Sequence, residues 1–481
     1  KTIANYIDGE WVESRSGRAL EVKNPATGET LACVPLSTAE EVDAAVGAAK
    51  AAFGEWRETP PYSRARAMFR LKAVIEEHFE EVSRLVVQEN GKTIDEARGE
   101  VRRAIENVEV AAGMPSLMTG YSLEDVTSGI DEEAVRQPLG VFCAIAPFNF
   151  PAMVPFWFLP YAVACGNTFI VKPSEQTPLT QTRLFELLEE ADFPPGVVNL
   201  VHGDGETAQA LLEHPGVVGV SFVGSTAVAR HVYRTAAAHG KRAQCQGGAK
   251  NYLVVMPDAD LERTVGAILT SAYGNAGQRC LAGSVVLAVG EVYAALREGL
   301  VAAARGLRVG NGLDPETQMG PVISARALAR IEGYIERGVQ EGARLLLDGR
   351  GVQVAGHAGG YFIGPTLFEG VRPEMAIAQE EIFGPVLGLM AVADFEEALA
   401  VIEGNRYGNA GSIFTRSGKW AREFKYRARL GNVGVNIGIA APIASFPFGG
   451  MKDSFFGDLH GQGLDGINFY TDRKVVITRW F

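Results

Sequence analysis

From residue 139 onward, short apolar runs alternate with stretches of helical spacing, and this rhythm constrains the fold more than any other feature. The runs are Val141–Ala146, Thr168–Val171, Val197–Val201 and Val217–Val223, with helical segments at Thr180–Ala191 and Glu206–Glu213. A second series follows Lys250: Tyr252–Met256, Ser284–Val289, Arg344–Leu347 and Gly411–Phe414. Strand–helix–strand order at this spacing implies βαβ units and parallel sheets. The expected fold class is therefore α/β, with two parallel-sheet domains in tandem. The 481 residues leave room for two to three domains of ordinary size.

The first 110 residues read as helical after a short extended start. Thr38 and Glu41 form a capping box, after which Val42, Ala45, Val46, Ala49 and Phe53 repeat at helical spacing. A second long helix is expected from Ser63 to Gly91 and a third from Thr93 to Met114. At the other end, Gly466–Phe481 reads as a strand-like tail, an exposed edge unless it pairs elsewhere.

Several function classes are disfavoured. The apolar region from Leu139 to Val171 is broken by Pro147, Pro151, Pro155 and Pro160, whereas a spanning helix needs about 20 uninterrupted apolar residues. Forty-five Lys and Arg against 57 Asp and Glu give a net charge of −12, which argues against nucleic acid or an anionic membrane as partner. The start, Lys1-Thr-Ile-Ala-Asn-Tyr6, has no apolar signal core, so a cytoplasmic protein in a reducing compartment is expected. It also lacks Met, which leaves an organellar origin open. No metal site is expected, because no C-x-x-C or H-x-x-x-H spacing occurs.

Three strand ends could hold a nucleotide. Gly203-Asp-Gly205-Glu-Thr-Ala208 matches the G-x-G-x-x-G/A fingerprint, a weak signal alone. Gly224-Ser225-Thr226 places a Gly and two hydroxyls at a helix start, where free N–H groups favour phosphate. Lys172-Pro-Ser-Glu175 puts a cation and a carboxylate beside a strand's carboxyl end, suited to ribose hydroxyls. A carboxylate there repels a 2′-phosphate and favours NAD over NADP.

Five cysteines make an odd count, so at least one thiol is unpaired within the chain. Cys33, Cys143 and Cys165 lie in apolar or small-residue surroundings and read as core. Cys280 differs: Gly277 and Gly283 flank it, and Arg279 precedes it. A neighbouring cation lowers a thiol pKa, so Cys280 is the candidate nucleophile.

Gly277-Gln-Arg-Cys280, Glu381-Ile-Phe-Gly-Pro385, Pro147-Phe-Asn149-Phe-Pro151, Lys172-Pro-Ser-Glu175 and Phe222-Val-Gly224-Ser225-Thr226 resemble the aldehyde dehydrogenase superfamily, in the right order along the whole chain. The resemblance implies an NAD-binding domain (1–117 and 138–248) and a catalytic domain (249–464). It also implies an oligomerisation hairpin and tail (118–137 and 465–481), hence a homo-oligomer, by likeness a tetramer. It implies that Cys280 attacks the aldehyde carbon and that Asn149 and the Cys280 N–H hold the oxyanion. Glu381 and Phe383 would hold the nicotinamide ribose and ring, Lys172 and Glu175 the adenine ribose, and Gly224 and Ser225 the pyrophosphate. Ala146, Phe148, Gln176 and Gly247 would line the cofactor cleft. The Gly203–Ala208 turn is demoted by the same likeness.

Two departures from the family pattern stand out. Many members carry Ala229 as Gly. Hydrolytic members carry a Glu four residues before the Lys of Leu-Glu-Leu-Gly-Gly-Lys, where this chain has Gln246 in Cys245-Gln-Gly-Gly-Ala-Lys250. An amide cannot serve as the base that activates water, so another acyl acceptor such as coenzyme A is expected. Gly248-Ala-Lys-Asn251, Val255-Met-Pro-Asp258, Asn275-Ala-Gly-Gln-Arg-Cys280 and Ser454-Phe-Phe-Gly-Asp-Leu-His460 are similar to methylmalonate-semialdehyde dehydrogenases, the coenzyme-A-acylating branch. That likeness implies oxidation of methylmalonate or malonate semialdehyde to propionyl-CoA or acetyl-CoA with decarboxylation. Arg279 and Arg103 would bind the substrate carboxylate, though Arg102 is an equal candidate from the residues alone. The alternative is a hydrolytic NAD-dependent enzyme acting on another semialdehyde.

Overall fold

The computed structural model describes Lys1–Phe481. The first sheet has eight strands: Glu10–Val12, Asn5–Ile7, Val198–Leu200, Thr168–Lys172, Val141–Ile145, Val217–Val223, Arg242–Gln246 and Phe455–Phe456. Its five central strands run parallel. The edge strands close it antiparallel on both sides. The second sheet has seven strands: Arg344–Leu347, Thr366–Glu369, Val386–Val392, Gly283–Val289, Asn251–Val255, Ala410–Phe414 and Asn432–Val435. It is parallel apart from Arg344–Leu347. The expected α/β class with two parallel sheets is what the chain forms. No helix is long and apolar enough to cross a membrane.

Local signals explain many boundaries. Thr38 accepts from the Glu41 N–H while the Glu41 carboxylate accepts from the Thr38 N–H, the reciprocal cap that starts the helix Ala39–Glu58. Thr93 and Glu96 repeat the device at Ile94–Ala112.

Three expectations change. The long helix from Ser63 is two helices, Pro61–Glu77 and Phe79–Asn90, broken at His78. His78 leaves helical geometry, and its ring bonds Glu81 (2.8 Å) and Arg183 (3.3 Å). The apolar period runs unbroken through the break because both helices bury the same side. The second sheet also contains Thr366–Glu369, Val386–Val392 and Asn432–Val435, which the strand reading had not included. The run Val386-Leu-Gly-Leu-Met-Ala-Val392 is buried on both faces at all but one position, so it shows no alternation to mark it as a strand.

The third change is at the tail. Gly463–Tyr470 is a helix, and only Thr471–Arg479 is a strand. That strand pairs over nine residues with Ile130–Pro138, which pairs in turn with Tyr121–Thr127. The three-stranded sheet still exposes Tyr121, Leu123, Val475 and Ile477, each more than half accessible.

Candidate active site

Cys280 sits just before the strand Gly283–Val289, after a turn of unusual backbone. Asn275, Ala276 and Gly277 all have positive φ (50°, 49° and 70°). Left-handed non-glycine residues cost about 1–3 kcal/mol each and persist only where the surroundings enforce them. Here the Asn275 N–H donates to Glu96 (2.7 Å) and its Nδ2 to the Asn149 carbonyl (3.2 Å). At Gly277 the carbonyl of Gly384 comes so close that a Cβ would collide with it. The Cys280 carbonyl is fixed from two sides, by Asn251 Nδ2 and Asn409 Nδ2, both at 2.8 Å. The sulfur is thus held by a rigid frame.

The thiol opens into a cavity of about 340 Å³ whose walls include Met153, Trp157, Leu281, Ile439 and Phe448. One side is the helix Ile94–Ala112, which presents Glu96, Glu100, Arg103 and Asn107 at helical spacing. Arg103 therefore faces the cavity and pairs with Glu106 (3.2 Å). Arg102 does not line the cavity and pairs with exposed Glu76 (3.2 Å). Arg279 also lines the cavity, with Nη2 2.5 Å from Glu96 of that helix and its Nε buried and unpaired. Trp157 Nε1 is a second buried, unpaired donor there.

Asn149 is buried beside this cavity and donates to the Gln278 carbonyl (3.0 Å), which leaves its second amide proton without a fixed partner. Its own carbonyl accepts from Lys92 Nζ (2.8 Å). Lys92 is itself fully buried, 2.5 Å from Glu100, whose other oxygen takes the N–H groups of Ala152 (2.7 Å) and Met153 (3.2 Å). Burial pushes the Lys92 ammonium down and Glu100 pulls it back up. This buried pair fixes the loop that carries Asn149. Glu96, Lys92 and Glu100 escaped the sequence reading because each resembles an ordinary helix-start charge; only the fold brings them to the cavity.

Arg279 pulls the Cys280 pKa down as expected, but the net shift is upward. Burial pushes the thiol up to about 12, and the Glu381 carboxylate raises it further. The N–H groups of Cys280 and Leu281 and the Arg279 charge act in the opposite direction but are outweighed. Arg279 is already neutralised by Glu96. The reactive thiolate is the deprotonated form, so a raised pKa means reactivity that grows with pH. Alkylation of the free enzyme by iodoacetamide is expected to accelerate about tenfold per pH unit between pH 7 and 10, with no plateau. A rate that levels off below pH 8 would show a thiol of ordinary or lowered pKa.

Beyond the thiol, the carboxyl ends of the first sheet meet the second. Glu381 accepts from the Ala249 N–H (3.0 Å), and burial pushes its carboxyl up to about 7. Lys250 Nζ is buried without a partner, and burial pushes it down to about 7. The rings of Phe148 and Phe383 meet edge to face at 5.8 Å, Phe383 with φ of 54°. Ala146 donates to the Lys172 carbonyl (3.0 Å). Lys172 Nζ is buried, 3.6 Å from Glu175, and Gln176 follows in the same turn. Gly224 donates to the Gln246 carbonyl (3.1 Å). Gly247 packs so tightly on Asp453 that no side chain fits there. Ser225 starts the helix Thr226–Ala238 with no side-chain cap, so its hydroxyl and the first N–H groups are free for an anion.

The rival turn at Gly203–Ala208 carries its own cap, and Arg18 pairs with both of its carboxylates. Asp204 caps its helix through the Glu206 N–H (2.9 Å), so two carboxylates occupy the position. The helix start at Ser225 has no such cap, and next to it the Thr226 hydroxyl accepts from the Gly248 N–H (2.8 Å), one residue before the N–H from which Glu381 accepts.

The sequence profile of the Aldehyde dehydrogenase family matches residues 11–476. The chain is a member of the aldehyde dehydrogenase family. Among its relatives, "Malonate-semialdehyde dehydrogenase 2" of Geobacillus kaustophilus (strain HTA426) is 52% identical over 480 residues, covering 100% of this chain and 99% of that protein. A crystal structure of methylmalonate-semialdehyde dehydrogenase from Oceanimonas doudoroffii superposes with a TM-score of 0.98 at 46% identity, covering 100% of this chain and 98% of that one. The NAD+ complex of an aldehyde dehydrogenase from Bacillus cereus gives 0.95 at 34% identity, covering 100% and 97%. The aldehyde dehydrogenase fold thus extends over the whole chain.

Proposed function

We propose that this aldehyde dehydrogenase oxidises a short semialdehyde bearing a carboxylate, malonate or methylmalonate semialdehyde, with NAD, and passes the acyl group to coenzyme A. The observation that carries the reading is that Cys280, Arg103 and Arg279 share one small cavity. An aldehyde three carbons long can put its carbonyl at the thiol while its carboxylate reaches a guanidinium.

In this reading Cys280 Sγ attacks the aldehyde carbon. The free amide proton of Asn149 and the Cys280 N–H hold the developing oxyanion, and one such donor is worth about 3–4 kcal/mol. NAD held at Glu381 and Phe383 would supply the hydride acceptor for that carbon, and Cys280 keeps the acyl group as a thioester. The uncapped helix start at Ser225, the Lys172–Glu175 pair and Glu381 suit the phosphates and riboses of NAD. The carboxylate on the α-carbon of that thioester leaves as carbon dioxide; the bonding pair passes into the thioester as an enolate, which takes a proton from solvent to give the acetyl or propionyl thioester. Coenzyme A thiol then displaces Cys280: Glu96 is bound by Arg279, Glu100 by Lys92, Glu381 accepts from the Ala249 N–H, and position 246 is an amide.

The same reading assigns residues 1–117 and 138–248 to NAD, 249–464 to catalysis, and 118–137 with 465–481 to assembly. The exposed apolar residues of the tail sheet then meet another copy, giving a homo-oligomer and, by family likeness, a tetramer.

The test is NADH production from malonate semialdehyde, methylmalonate semialdehyde and propanal, each with and without coenzyme A. Carboxylated substrates with coenzyme A are expected to dominate. A hydrogen bond to a charged group is worth about 1.5–3 kcal/mol. Arg103→Leu and Arg279→Leu should therefore each raise KM for the carboxylated aldehyde about 10- to 150-fold. Equal use of propanal by the parent enzyme would remove the carboxylate reading.

A further inference from the structure

Gln462 stands on the wall of the Cys280 cavity in a backbone conformation that almost only glycine adopts, with φ of 69° and ψ of 173°. Its neighbours Gly461 and Gly463 are glycines, so the turn has no shortage of flexible residues, yet the strained position carries a long amide. Three backbone bonds impose the conformation. The Phe448 N–H donates to the Gly461 carbonyl (2.8 Å), the Gly463 N–H to Ala444 (3.1 Å), and the Gly466 N–H to Gln462 itself (2.9 Å).

The side chain is 3% exposed, and its Oε1 is buried with no partner. Its Nε2 makes no hydrogen bond within the chain. Two other amides that line the cavity, Asn107 and Asn275, also carry an unpaired oxygen, but their nitrogens are fixed on the carbonyls of Arg103 (2.8 Å) and Asn149 (3.2 Å). Gln462 alone among them is uncommitted at both ends. A buried polar group without a partner is costly, and a strained backbone adds to the cost. A ligand acceptor that takes a hydrogen bond from the uncommitted Nε2 accounts for an amide held at this strained position; the buried Oε1, itself an acceptor, is not paired by an anion.

We infer that Gln462 is a substrate-positioning residue whose amide N–H donates to the carboxylate of the semialdehyde, between Arg103 and Arg279, and so sets the preference for carboxylated over neutral aldehydes. This rests on the proposed function. Arg279 Nε and Trp157 Nε1, of residues lining the same cavity, are further buried donors without a partner.

The experiment compares kcat/KM for malonate semialdehyde and propanal, with NAD and coenzyme A, in the parent, Gln462→Leu and Gln462→Glu. Both substitutions nearly keep the side-chain size, and Glu is isosteric, so one of them remains informative if the other fails to fold. The expected result is a carboxylate-to-neutral ratio lowered at least tenfold in Gln462→Leu, through KM rather than kcat, and about a hundredfold in Gln462→Glu, where like charges meet. A merely structural role would depress both aldehydes together. Variants that keep the parent's ratio within about twofold, while the parent prefers the carboxylated aldehyde, would overturn the role of Gln462 alone. A parent with no such preference would overturn the carboxylated-substrate reading and this inference with it.

Discussion

Cys280→Ala is expected to lower NADH production by at least about 10⁴-fold while leaving the fold and NAD binding in place. Removing a covalent nucleophile elsewhere costs up to about 10⁶ in kcat, so the loss lies inside the known range. The prediction rests on the absence of a substitute. Cys143, Cys165 and Cys245 are fully buried within the first domain's core. Burial pushes both the Cys143 and Cys165 thiols up to about 12. Cys33 lies in the strand Thr30–Pro35, paired with Glu21 in a separate two-stranded sheet. None of them lines the cavity that Arg103 and Arg279 share.

The loss should come from chemistry and not from collapse. Cys280 is partly exposed, and its neighbours are held by hydrogen bonds to its backbone carbonyl, which Ala retains. Unchanged NAD affinity and thermal midpoint would place the defect in the reaction. Mass spectrometry of the parent mixed with NAD and semialdehyde, without coenzyme A, should find the acyl adduct on the peptide that contains Cys280. An Ala variant with the parent's NADH output would end the nucleophile assignment.

What the sequence could reveal depended on how local each feature is. The strands Val217–Val223 and Arg344–Leu347 and the cap at Thr38 are legible because a short apolar run or a four-residue box produces them without help from afar. The strand Val386–Val392 is not, since a run covered on both faces carries no period. His78 interrupts an apolar stripe through contacts with Glu81 and Arg183, the latter more than a hundred residues away. The site divides in the same way. Cys280 and Gln246 stand in local motifs whose chemistry is visible residue by residue. That Arg103 and not Arg102 faces the thiol follows from the rotation of one helix. That Arg279 is neutralised by Glu96 follows from two segments 183 residues apart. The resulting change matters for mechanism: the cation beside the nucleophile is paired with a carboxylate, and its downward pull on the thiol is outweighed by burial and by Glu381.

The second large effect concerns the acyl acceptor. Without coenzyme A, the enzyme should give one burst of NADH per Cys280 and then turn over about 10²–10⁴ times more slowly than with it, the usual cost of a missing general base. The reason is in the carboxylates. Water attack on the thioester needs a base that can take a proton. Glu96 is ion-paired to Arg279, and Glu100 is ion-paired to Lys92 and accepts two N–H groups besides. Glu381, pushed up to about 7, is tied to the Ala249 N–H on the cofactor side. Gln246, where hydrolytic members have Glu, directs its amide to the Phe448 carbonyl at 3.5 Å and has no proton-accepting charge. A thiol acceptor avoids the deficit, because coenzyme A ionises far more readily than water. Gln246→Glu supplies the converse test. If the missing carboxylate is what blocks hydrolysis, this variant should raise the rate without coenzyme A at least tenfold and release free acid. A parent enzyme that shows no burst and turns over equally with and without coenzyme A would mean that another group activates water, and the acylating reading would fail.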